Sequence, residues 1–286
     1  MANIKRKLQS NIEGQYYVDN SCINCDACRK FAPKHFSDSG EFSYVEAQPT
    51  NRKEELAVQR ALLSCPTNSI GMLEKENLKE ARDTLPLLLK DNIYVCGHND
   101  RSSFGAETYF IKSTKGNWLV DGPSFNKDLC KKFHALGGLK YIYLTHRDDV
   151  ADAHKWAREF NASRIIHEGD LIAQKDSEIV LSGSEDTLFD EGRVIYTPGH
   201  TRGHTCLLYR DKYLFTGDHF CWLKGRGEFG AFEDYCWFDW EMQKQSILKL
   251  ANYPNVESIF PGHGRRREIE KGDFPRIIKA YYQNIL

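Results

Sequence analysis

The stretch Cys22-Ile23-Asn24-Cys25-Asp26-Ala27-Cys28, answered later by Cys65-Pro66, decides how the first quarter of the chain folds. Two-residue gaps let one loop curl three sulfurs around a single inorganic core, and the fourth thiolate arrives from elsewhere, usually as a Cys followed by Pro. This is the ligand pattern of a cubane iron–sulfur cluster. Because the middle ligand Cys25 is present, four irons are favoured over three. Only one such set exists, so the expected cofactor is one [4Fe-4S] cluster held by Cys22, Cys25, Cys28 and Cys65. A structural zinc site would use two separated cysteine pairs rather than a triplet plus one.

Around this loop, Tyr16-Tyr17-Val18 reads as a short strand, and Phe42-Ser43-Tyr44-Val45 alternates like a second. Residues 54–63 have helical spacing and deliver Cys65. With the cysteine triplet, the Cys-Pro and Ala61 four residues before Cys65, residues 10–75 resemble a single-cluster bacterial-type ferredoxin.

The 286 residues suit a small domain joined to a larger one. A net charge of −1 gives no global field to attract nucleic acid or anionic lipid. No apolar run approaches the length of a membrane span, and Met-Ala-Asn-Ile-Lys-Arg-Lys has no apolar stretch after its charges, which argues against a signal peptide. Of nine cysteines, the five outside the cluster set (Cys96, Cys130, Cys206, Cys221, Cys236) show no pairing logic. A cytoplasmic or other reducing compartment is expected.

Residues 74–82 form a charged stretch, read as a solvated helix or tether, and the texture then changes. Strand-like runs occur at 108–111, 117–120, 141–144, 165–166, 194–196, 206–209 and 213–215. Helix-period segments occur at 127–136, 152–160, 241–250 and 274–282. This mixed order points to an α+β protein of two domains, the second an α/β sandwich rather than a doubly wound sheet. The expected division is 1–75 for the ferredoxin-like domain, 76–90 for a linker and 91–286 for the second domain.

Four fragments stand at the ends of those strands: Leu144-Thr145-His146, Thr197-Pro198-Gly199-His200-Thr201, Thr216-Gly217-Asp218 and Pro261-Gly262-His263-Gly264. Three of them place glycine beside the metal-competent side chain, and glycine permits a tight turn. Ligands at strand-to-loop turns are held by the sheet and stay open to substrate.

The order and wording of these fragments resemble the metallo-β-lactamase superfamily over about residues 90–270. The resemblance implies an αββα sandwich with metal along one edge. It makes His146 and His200 ligands, Asp218 a carboxylate able to bridge two metals, and His263 part of a second metal position. The family's His-x-His-x-Asp-His stretch is altered here to His146-Arg147-Asp148-Asp149-Val150-Ala151-Asp152-Ala153-His154. At direct register Asp148 replaces the second histidine, while Val150 and Ala151 fall where the family has Asp and His. With two residues inserted, Asp152 takes the aspartate role and His154 falls one place late. Two histidines and a carboxylate with open positions suit non-haem Fe(II), and imidazole suits zinc as well. Asp148 enriches the set in oxygen and favours Fe or Mn over Zn. One ion is expected rather than two, because Val150 and Ala151 cannot bind metal.

Smaller signals remain. His204 reads as a hydrogen-bonding support under the His200 turn, with an acid–base group as the alternative. Arg147 and Asp149 read as a pair, and Arg265-Arg266-Arg267 as a solvated run, with a hold for an anionic substrate as the alternative. The aromatic stretch 220–240 reads as core or as the wall of a substrate pocket.

The leading expectation is a redox enzyme in which the cluster domain supplies electrons to the second metal. A metal-dependent hydrolase of an ester, thioester or amide is the alternative, with the cluster structural or sensory. A non-catalytic electron-transfer or redox-sensing module is the third. Expected partners are a small-molecule substrate and an electron-donor protein, without nucleic acid or membrane, and a homodimer is open.

Overall fold

The computed structural model describes residues 2–285. By contact the chain forms two compact units, Met1–Lys112 with Pro123–Gly138, and Ser113–Gly122 with Leu139–Leu286. Residues 91–112 and 123–138, expected with the second domain, thus cluster with the first unit.

In the first unit the strand Tyr16–Val18 pairs antiparallel with Ile70–Met72, and Phe36–Asp38 forms a hairpin with Ser43–Val45. The helix Arg52–Ser64 starts where the Asn51 side chain accepts a hydrogen bond from Glu54 N, an N-cap that satisfies a backbone donor. Its buried Val58 and Ala61 pack with Tyr16, Val18, Phe36, Val45 and Ile70. The helix ends at Ser64, so the fourth cysteine follows it directly. Residues 76–90 are no featureless tether: they hold a helix at Lys79–Asp83 and a strand at Leu87–Lys90, which with Ile93–Val95 and Tyr109–Ile111 makes an antiparallel meander.

In the second unit, Trp118–Val120, Tyr141–Tyr143, Ser163–His167 and Ile179–Leu181 run parallel. The amphipathic helix Ala153–Phe160 buries Trp156 and Ala157 and lies in sequence between Tyr141–Tyr143 and Ser163–His167, the crossover connection that a parallel pair needs. A second sheet takes the order Thr187–Leu188, Gly192–Tyr196, Thr205–Tyr209, Tyr213–Gly217, Ser258–Pro261 and Arg267–Glu268. The sheets meet where the Tyr143 hydroxyl bonds Thr205 Oγ1 (2.8 Å) and Thr205 N donates to the Thr145 carbonyl (2.8 Å).

The outer face of the second sheet is covered by the helices Trp240–Lys249 and Phe274–Asn284. Ile195, Leu208, Leu214, Phe220, Ile247, Ile259, Phe274 and Ile278 fill that layer, all at most 2% exposed. Complete burial of such a side chain stabilises the fold by roughly 1.5–3 kcal/mol. The layering is the expected αββα sandwich. No helix among the described residues is long and apolar enough to cross a membrane.

Candidate metal centres

The loop of the first unit wraps because Asn24 and Asp26 take left-handed backbone angles (φ 54° and 69°) between the cysteines. Asn24 N then points to Cys22 Sγ (3.4 Å), and Ser69 N to Cys65 Sγ (3.3 Å). Hydrogen bonds of this kind tune a thiolate-held cluster. Burial pushes the Cys25 thiol up to about 12, with the nearby sulfurs of Cys65 and Cys22 adding to it, and Cys28 is raised in the same way. Four thiolates so gathered need compensating positive charge, which iron supplies. None of the nine cysteines is joined in a disulfide. The donor set therefore fits a cluster.

In the second unit the strand ends bring the predicted side chains to one place. His146 Nε2 and His200 Nε2 each lie 3.8 Å from Asp218 Oδ2 and 3.9 Å from Asp148 Oδ2. Those separations exceed hydrogen bonds, and both Nε2 atoms are buried without a hydrogen-bond partner. Lone pairs left facing carboxylates across such a gap fit a cation between them. Burial holds His146 neutral, lowering it to about 3, and lowers His200 too, so the nitrogens keep those lone pairs. The Asp148 side chain is 42% exposed against 0% for His146, so the set opens to solvent on the Asp148 side.

His146 owes its tautomer to its neighbours. Thr145 Oγ1 donates to the Asp121 carboxylate (3.0 Å), which leaves its oxygen to accept from His146 Nδ1 at 2.9 Å and the Nε2 lone pair turned to the site. Thr145 N also donates to Asp121 Oδ1 (2.8 Å). Asp121 itself sits at φ 60°, a strained angle for a non-glycine residue. Burial raises its carboxyl, with Asp218 adding to the effect.

Asp218 Oδ1 accepts from His263 N (3.1 Å) and Nδ1 (2.8 Å), Nδ1 also reaches Oδ2 (2.9 Å), and Oδ2 is the oxygen that faces the His146–His200 side. Only a glycine fits before it. At Gly217 (φ +48°) a Cβ would stand 2.6 Å from Thr145 Oγ1 and 2.8 Å from His204 Nε2. His204 lies fully buried beneath this turn, its Nδ1 3.0 Å from Thr197 Oγ1, in the supporting place the sequence suggested.

Three residues of the site gave no clear signal in the sequence. Asp121 follows the strand-like run 117–120 and stands in no motif. Asp149 is 1% exposed and groups with His146 and Asp218, while Arg147, its expected partner, approaches Asp148 (Nε–Oδ1, 3.6 Å). Asp170, just past the strand Ser163–His167, accepts from Arg147 N, Thr201 Oγ1 and Gly203 N. Asp152 and His154 go elsewhere. Asp152 pairs with Lys155 (2.7 Å) at the helix start, and His154 lines a shallow cleft with Arg158 and Lys175. The direct register, with Asp148 beside the histidines, is the one the structure brings together.

The profile of the 4Fe-4S single cluster domain of Ferredoxin I matches residues 18–72, a span that contains all four cysteines. Lactamase-like protein aptB of Emericella nidulans is 29% identical over 173 residues, 56% of this chain and 51% of that protein. Beta-lactamase-like protein 2 homolog of Drosophila melanogaster is 26% identical over 196 residues, 60% of this chain and 63% of that protein. The chain thus spans less than two thirds of either relative. Among solved structures, the metallo-β-lactamase from Hirschia baltica (13% identity, 69% of this chain and 95% of that one) gives a TM-score of 0.51. DIM-1 metallo-β-lactamase exposed to ceftazidime (23% identity, 68% and 95%) gives 0.50, and these two likenesses speak to fold alone. The chain joins a single-cluster ferredoxin domain to a domain of the metallo-β-lactamase superfamily.

Proposed function

We propose that this chain is an iron–sulfur metalloenzyme, an oxidoreductase in which the cluster of the ferredoxin domain supplies electrons to a metal centre, iron by preference, in the metallo-β-lactamase-type domain. The observation that carries this reading is the convergence of His146, His200, Asp148 and Asp218 in a protein that also holds a cluster site. Two imidazoles with carboxylates are a donor set that suits non-haem iron. When bound, the metal supplies electron exchange with a small-molecule substrate such as oxygen, a nitrogen oxide or a sulfur species.

The protein's own share of the work is positional. His146 and His200 present neutral nitrogens, and Thr145 and Asp121 fix the first of them. Asp148, the exposed member, stands where substrate enters and can take up or release a proton at its carboxylate. Asp218 is shared between the histidine pair and His263. Asp149, buried beside it, gives a second ion a carboxylate that the sequence reading lacked. The primary proposal remains one ion.

The exposed aromatics Tyr235, Trp237 and Phe238 belong to the same site by backbone, since Trp237 N donates to the His200 carbonyl (2.9 Å). We read them as a wall for the substrate. An electron-donor protein would refill the cluster, and five cysteines outside the cluster set without a disulfide suit a reducing compartment.

A second reading, a metal-dependent hydrolase, is supported by the lactamase-like names of the two relatives. There the metal would activate water toward an ester, thioester or amide. The two separate on one assay. Turnover of a redox substrate that requires a reduced cluster supports the oxidoreductase. Ester or thioester cleavage indifferent to the cluster's redox state overturns it.

A further inference from the structure

Within the first unit, chain from beyond the ferredoxin-like segment closes against the cluster loop. The turn Asp100–Gly105 is tied by Gly105 N to the Asp100 carbonyl (2.9 Å), and Asn99 Nδ2 donates to the Gly105 carbonyl from a buried position (2.8 Å). Gly105 sits at φ +81°, and a Cβ there would stand 2.8 Å from Cys25 Sγ and 3.0 Å from Pro66 Cγ. The backbone therefore approaches the cluster site as closely as the absence of a side chain permits.

Two residues on, Glu107 is fully buried. Its Oε2 lies 3.6 Å from Lys30 Nζ and accepts from the Tyr109 hydroxyl at 3.2 Å. Lys30 stands on the helix Ala27–Phe31, two residues past Cys28, with its side chain only 2% exposed. A lysine buried to this extent is uncommon and needs a charge partner. Arg29, its buried neighbour, has its charge matched by Asp26 (2.5 Å) and Asp38 (3.3 Å). Both ends of the pair are tethered next to the cluster site, Lys30 two residues past Cys28 and Glu107 two residues past Gly105, at which a Cβ would stand 2.8 Å from Cys25 Sγ.

Adding an electron to a cluster adds negative charge. A nearby cation in a low-dielectric, poorly screened setting favours the reduced form. We propose that the buried Lys30–Glu107 pair sets the reduction potential of the cluster, the Lys30 ammonium favouring the reduced form and the Glu107 carboxylate opposing it. This inference rests on the cluster reading and is independent of which metal the second domain takes.

The test is a redox titration of the intact, anaerobically purified protein, followed by the cluster's spectroscopic signal, with iron and sulfide content measured alongside. Lys30→Met should lower the midpoint potential at unchanged cluster content, and Lys30→Arg should stay near the parent. Glu107→Gln, which removes the counter-charge, should shift it upward. A merely structural pair would not move the potential in opposite directions. The proposal is overturned if Lys30→Met keeps both cluster and parental potential. It is equally overturned if Lys30→Met loses the cluster and Glu107→Gln fails to raise the potential, or if all three variants lose the cluster. Absence of a four-iron cluster from the parent protein would instead contradict the cluster reading itself.

Discussion

Asp170 Oδ2 accepts a hydrogen bond from Thr201 Oγ1 at 2.5 Å, and the same oxygen accepts from Arg147 N at 3.1 Å. Thr201 follows His200 and Arg147 follows His146, so one buried carboxylate fastens the two loops that carry the histidine pair. Its other oxygen takes Gly203 N (3.1 Å). Asp170→Ala would leave buried donors unmet, each costing about 1–3 kcal/mol. The variant is expected to melt several degrees lower and to lose the non-cluster metal, while the cluster's visible absorption persists. Calorimetry and metal analysis check both halves, and parental metal content in Asp170→Ala would contradict the fastening role.

Thr145 acts one step from the metal. Thr145→Val keeps the shape of the side chain but removes the hydroxyl between Asp121 and His146 Nδ1. Loss of such an outer partner typically costs 10–100-fold in metal affinity. Competition with a chelator should show a weakening of that size for Thr145→Val, against little change in the circular dichroism spectrum. Unchanged affinity would mean that His146 is oriented by packing alone.

His98 supplies a pH dependence away from the metals. Burial, helped by the Arg82 guanidinium and opposed by Asp128, lowers it to about 4. Its unfolded value is near 6.5. The unfolded chain therefore binds the extra proton first, so the contribution is present above pH 6.5 and is lost as pH falls toward 4. The size is on the order of 1–3 kcal/mol. Denaturant titrations between pH 7 and 4.5 should show the parent losing stability and His98→Asn losing less. Parallel curves would rule out this histidine as a source of the acid limb.

Much of the architecture was legible because its signals are local. Three cysteines in one loop announce a cluster without reference to anything distant, and helical periodicity placed Arg52–Ser64 and Phe274–Asn284 to within about two residues. His146, His200, Asp218 and His263 were legible because each ends an apolar run, mostly beside glycine. What the sequence hid is set by the folded chain. Asp121, Asp149 and Asp170 reach the site from separate strand ends, and nothing in their flanks distinguishes them from turn residues. The approach of Gly105 to Cys25 joins positions 80 residues apart, and the turn that carries it has no periodicity to read. The short strands Leu87–Lys90 and Ile179–Leu181 were missed for a related reason, since pairing rather than composition defines them.

The central claim is that the histidine–carboxylate set of the second domain holds iron that works with the cluster. Iron and zinc analysis of anaerobically purified protein, run beside His200→Ala, tests it most directly. The account predicts iron in excess of the four atoms of a [4Fe-4S] cluster, with the excess gone from His200→Ala while the cluster's absorption is unchanged. Four irons plus zinc in the parent protein, or the full metal complement retained in His200→Ala, would contradict it.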